Sequence, residues 1–155
     1  MDYLTWKWLH VLSSTLLFGT GIGTAFAMFY ANRSGDIRAI AIVARNVVRA
    51  DWLFTLPAII FQPISGYIMM QHAGIPLLTP WIWISFALYL LAGVCWLPVV
   101  WLQIRMRDMA HEAAVTGAPM LSVRFWRCER AWVVLGVPAF SALVIVFYLM
   151  VAKPV

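Results

Sequence analysis

Histidine is scarce in this chain, and its placement is informative. There are three: His10, His72 and His111. His10 lies in a stretch, Lys7 to Arg33, that contains no charged residue between its two ends. At helical spacing its face continues through Ser13, Ser14, Leu17, Gly21 and Thr24, which are small or polar and suit the interior of a helix bundle. A second stripe runs Thr55, Ala58, Gln62, Ser65, Met69 and His72 at spacings of three and four. Imidazoles on two facing helices can grip a heme iron from both sides. A neutral imidazole can also hold copper or zinc. His10 and His72 are therefore the candidate metal ligands, for a heme iron or for copper or zinc. Met69, Met70 and Met150 offer thioethers in place of the second imidazole, and an open sixth position is the remaining choice. Each reading competes with a plain one: a hydrogen-bonded interior histidine at position 10, an interfacial or turn residue at 72. His111 sits among charges and is read as solvated.

These side chains need elements to hold them, and the composition says which. The chain is 155 residues long, 64% hydrophobic and only 11% charged. A soluble domain carries about 25% charged residues, so too few are present to cover a water-facing surface. The length suits a single domain, residues 1–155. A spanning helix needs about 20 apolar residues. The uncharged stretches Lys7–Arg33 and Arg130–Lys153 fit one span each, and Asp51–Arg105 fits two, broken at Gly74, Pro76 and Pro80. The expected fold is an all-α membrane protein, a four-helix transmembrane bundle. Its spans are Leu4–Ala31, Trp52–Gln71, Trp81–Ile104 and Ala131–Ala152.

Orientation follows from Lys and Arg. Of the 11 basic residues, all but Lys7 and Lys153 fall in the loops Asn32–Ala50 and Arg105–Arg130. Those loops are expected on the cytoplasmic side of a bacterial inner membrane, with both termini and the His72–Pro80 turn outside. Trp6, Trp8, Trp81 and Trp83 fall at one boundary, and Trp52, Trp101, Trp126 and Trp132 at the other, as interfacial belts do. The loops have helical content of their own. Asp36–Ala50 sets Arg38, Arg45 and Arg49 on one face, as in a helix lying on the membrane or prolonging the second span. Arg107–Val115 reads as a short helix ended by Thr116-Gly117-Ala118-Pro119. The arginines serve topology and anionic lipid. The sharper reading gives Arg45 and Arg49 the heme propionates.

Other chemistries are excluded by context. The net charge of +5 is not a nucleic-acid signal, because no basic run is interleaved with aromatics. Gly19-Thr-Gly-Ile-Gly23 lies inside an apolar helix rather than after a strand, so it is not a dinucleotide loop. Gly19, Gly23 and Ala27 instead form a small-residue ridge suited to close helix approach. Cys95 and Cys128 have no disulfide or zinc spacing and read as small packing residues. The first span reads as a retained helix rather than a cleaved leader, because arginines follow it instead of preceding it. Asp51 opens the second span, positioned to pair with Arg45 or Arg49.

Several runs together resemble a known family. They are Trp6-Lys-Trp-Leu-His10, Phe18-Gly-Thr-Gly-Ile-Gly-Thr24, Ala50-Asp-Trp-Leu-Phe-Thr-Leu-Pro-Ala58, Gln62-Pro-Ile-Ser-Gly66, and the segments Trp96–Asp108, Gly136–Phe140 and Leu149–Pro154. The chain resembles, over nearly its whole length, the predicted integral membrane proteins of domain-of-unknown-function family 2269. The opening of the first span is also similar to HemJ-type protoporphyrinogen oxidases, small membrane proteins that bind heme b. That resemblance implies His10 as an axial ligand. The expected function is a membrane-embedded b-type heme protein in electron transfer or heme/porphyrin redox chemistry. Its partners would be the lipid bilayer, a second copy of itself or a respiratory redox protein. The other class is a non-catalytic membrane subunit or scaffold. A small transporter ranks below both, since the spans lack paired acidic and basic residues along a pathway. The topology has a direct check: cysteines placed at Val155 and within Thr116–Pro119 should label from opposite sides of the membrane, and labelling from the same side overturns it.

Overall fold

Each helix begins and ends where the local chemistry requires. The computed structural model describes residues 2–154. Helix α1 (Tyr3–Arg33) starts behind Asp2, whose carboxylate accepts from the Thr5 amide at 3.0 Å. Asp36 caps α2 (Ile37–Ala50) the same way, accepting from Arg38 and Ala39 amides at 2.9 and 3.2 Å. A single π-helical turn, Asp51–Thr55, carries α2 into α3 (Leu56–His72) without a break. Pro57 follows that turn closely; its ring would collide with the Leu53 carbonyl four residues back in a regular α-helix, and widening the turn relieves this. Gly74, at φ +63, reverses the chain toward α4 (Pro80–Thr116). Gly117, at φ +68, closes α4 in the left-handed conformation that favours glycine. Ser122 then caps α5 (Val123–Ala152).

Four helical stretches are long and apolar enough to cross a membrane: Tyr3–Arg33, Ile37–His72, Pro80–Thr116 and Val123–Ala152. The four expected spans all lie within them, but the helices overrun the spans. The segment Arg107–Val115 is not a separate helix; it is the last part of α4. The segment Asp36–Ala50 prolongs the second span, the latter of its two expected roles. Its buried face is Ile40, Ala44, Val47 and Val48, leaving Arg38, Arg45 and Arg49 exposed as their spacing required.

Two helix pairs, α1 with α3 and α4 with α5, pack closely, and α2 lies against both α1 and α4. The apolar core sits where α2 joins the pairs, at the arginine-rich end. Phe125, Met106, Met28 and Ile40 are each at most 1% exposed there. Arg33 reaches Glu129 on α5 at 3.2 Å, tying α1 to α5 at the same end. The small-residue ridge does not pack inside the chain. Gly19, Gly23 and Ala27 are exposed, and a Cβ on either glycine would meet no described atom within 4 Å. Trp132, expected in an interfacial belt, is buried at the core's edge.

Deleting the Phe125 ring should therefore cost more than deleting an outward-facing side chain. Phe125→Ala is expected to destabilise the protein by about 3–5 kcal/mol. Val134, which is 69% exposed, should tolerate alanine with a change below about 0.5 kcal/mol. Thermal unfolding in detergent, followed by circular dichroism, measures both.

Candidate cofactor cavity

Away from the arginine-rich end the two helix pairs enclose open space. A cavity of about 560 Å³ lies toward the termini and the Gly74 turn, lined from α1, α3, α4 and α5. That volume is in the range of small-molecule and cofactor sites. His10 lines it from α1. The inward face read from the sequence is real here: Ser13 and Leu17 are buried beside the half-buried His10. The α3 stripe is also inward, with Thr55, Ala58, Gln62 and Ser65 all buried.

These two faces are stitched together at His10. Gln62 donates from Nε2 to the His10 carbonyl at 2.9 Å. His10 Nδ1 lies 2.7 Å from Ser65 Oγ. Ser65 Oγ also lies within donating distance of two carbonyls of its own helix, Phe61 at 2.8 Å and Gln62 at 3.1 Å. When the hydroxyl serves either carbonyl, Oγ accepts from the ring and the imidazole proton sits on Nδ1. Nε2 is left with its lone pair, the atom a metal would take.

Met69, Met70 and Met150 line the same cavity. Lys7 and Lys153 line it too, with Lys153 Nζ 5.9 Å from the Trp81 ring centroid. Sequence reasoning gave these two lysines only a topological part. Spacing was the available signal for Lys7, which lies three residues before His10 on the same helical face, but not for Lys153, which follows the end of α5 with a left-handed backbone. The other expected site residues lie elsewhere. His72 is exposed as the last residue of α3 and does not line the cavity. Arg45 and Arg49 are exposed on α2, at the opposite end of the bundle from His10. His111 is exposed near the end of α4.

A second cavity, about 450 Å³, lies nearer the arginine-rich end. Asp51 and Thr55 of the π-helical turn face it, with Gln103 of α4. Asp51 pairs with neither Arg45 nor Arg49; Thr55 donates its hydroxyl to Asp51 Oδ1 at 3.0 Å. Burial by the π turn turns the carboxylate inward, away from the arginines on the exposed face of α2. Tyr89 of α4 lines both cavities. Its hydroxyl donates to the Ile59 carbonyl at 2.8 Å. That carbonyl is the one Pro63, lacking an N–H, leaves free four residues on.

Among the described residues no group of three or more His, Cys, Asp or Glu is placed to hold a metal ion. Cys95 and Cys128 are free thiols, half-buried. No curated protein and no solved structure matches this chain. The family model described as predicted integral membrane protein (DUF2269) matches residues 4–154, and the chain belongs to that family.

Proposed function

We propose that the protein is a membrane-embedded b-type heme protein, working in electron transfer or in heme/porphyrin redox chemistry. The observation that carries this reading is a half-buried His10 that lines a cofactor-sized cavity and is held through Nδ1 by Ser65, so that Nε2 is the ring nitrogen without a protein partner. One histidine is too few for a bare ion, and a porphyrin supplies the four nitrogens that the chain does not. A bound heme b would contribute a one-electron iron couple. His10 would ligate, and Ser65 would hold the ring's tautomer and orientation. Lys7 and Lys153 would neutralise the propionates, the part earlier given to Arg45 and Arg49. A thioether of Met69, Met70 or Met150 would be better placed than His72 to give the iron a second protein ligand, because His72 would have to reach in from an exposed helix end. In this reading the arginine-rich loops face the cytoplasm and the heme cavity opens toward the outer half of a bacterial inner membrane.

The outward small-residue ridge favours a second reading. Gly19, Gly23 and Ala27 are exposed, a Cβ on either glycine would meet no described atom within 4 Å, and the ridge suits close approach by another helix. A non-catalytic subunit would use that ridge and bind no pigment. Colour separates the two: detergent-purified protein should show a Soret band and a reducible α-band, and a colourless, fully helical protein would favour the scaffold.

Two substitutions test the ligand assignment. His10→Ala should abolish the heme spectrum, while His111→Ala leaves it intact; an unchanged spectrum in the His10 variant removes the central assignment. Ser65→Ala should keep the ligand but weaken heme retention about 10–100-fold, measured by transfer to apomyoglobin. His72→Ala is expected to keep a low-spin spectrum, and conversion to high-spin would return the sixth position to His72.

A further inference from the structure

The Asp51 cavity has its own polar logic. Asp51 and Gln103 are each 5% exposed, and both line it. Asp51 Oδ2 and Gln103 Oε1 have no hydrogen-bond partner. Both atoms are acceptors, and a buried unpaired acceptor costs about 1–3 kcal/mol. The rest of the wall is apolar and rich in rings, among them Trp96 and Trp132. Ile22 and Phe26 of α1 and Val137 of α5 border the cavity and are themselves exposed on the outer surface. The cavity therefore opens sideways between α1 and α5, into the lipid. What fits is a lipid-soluble molecule with a flat aromatic head that donates O–H bonds to two acceptors on one wall.

We propose that this cavity binds a membrane hydroquinone, its hydroxyls donating to Asp51 Oδ2 and Gln103 Oε1. The donor requirement, the aromatic wall and the lateral opening come from the geometry alone; the choice of a redox-active head over another phenol rests on the heme reading above. The oxidised quinone is the natural control. It has the same ring and tail but carries only acceptors, which would face the two acceptors of the wall. A site built to receive a hydroxyl rejects the analogue that lacks it.

The test is isothermal titration of the full chain in detergent, under anaerobic conditions, with decylhydroquinone, decylbenzoquinone and dodecylammonium. The hydroquinone should bind about tenfold or more tighter than the quinone. Asp51→Asn should abolish that preference. Gly136→Leu should abolish binding of both, because a Cβ on Gly136 meets no described atom within 4 Å and the added side chain would fill the cavity it lines. Helicity by circular dichroism reports folding, and if the Asp51 variant does not fold, Gly136→Leu decides. Equal or tighter quinone binding, a preference for the ammonium ion, or hydroquinone binding unaffected by Gly136→Leu would each overturn the proposal. The heme spectrum is recorded separately. Colourless protein that still prefers the hydroquinone would sink the heme reading and leave this site standing.

Discussion

A membrane interior offers no water to a polar atom, and that constraint organises this molecule. Most hydroxyls inside the spans satisfy it locally. Thr24 bonds the Thr20 carbonyl, Ser85 the Trp81 carbonyl and Ser14 the Val11 carbonyl. Longer side chains reach across: Gln62 to the backbone of α1, Tyr89 to the backbone of α3. Against that background, unsatisfied atoms stand out. Asp51 and Gln103, with Oδ2 and Oε1 unpaired, line one cavity, and His10, whose Nε2 has no partner, lines the other. Two of the buried polar atoms without partners thus lie where space has been left for a ligand, while those of Ser13 and Asn32 border neither cavity.

The same solvent explains why that space persists. In water an open apolar cleft would be closed by the hydrophobic effect. In lipid there is no such drive between helices, and their association depends on van der Waals packing and polar ties. Here the apolar core around Phe125 and Met106 and the Arg33–Glu129 pair lie at one end, and elsewhere the two pairs are joined by single ties such as Tyr89 to the Ile59 carbonyl and Phe18 against Phe140. The helix pairs can stand apart elsewhere at little cost.

Much of this was legible in the sequence. Charge-free stretches located all four spanning helices, because charge is expensive in hydrocarbon and its absence is a strong signal. The inward faces of His10 and of Thr55 through Ser65 followed from helical spacing alone. The stripe failed at its last member: His72 ends α3 and lies exposed, where helical periodicity no longer dictates burial. Trp132 and Asp51 misled for a related reason. Their types suit a membrane boundary, but residue type says nothing of rotation about the helix axis, and both turn inward. Nor could spacing reveal the π turn, which adds a residue to one turn and re-aims Asp51 and Thr55 toward Gln103. Lys7 and Lys153 were overlooked because lysines near a helix end already had an explanation.

Tyr89 stands between the two cavities as a common wall, held by its bond to the carbonyl that Pro63 leaves bare. A partition of this kind links its two sides thermodynamically. Any occupant that shifts the Tyr89 ring alters the shape of the neighbouring chamber, and so the affinity there. That influence is necessarily mutual: whatever factor one occupant imposes on the other is returned in equal measure. With both chambers occupied, a proline placed in one helix and a tyrosine in another would give them a shared equilibrium.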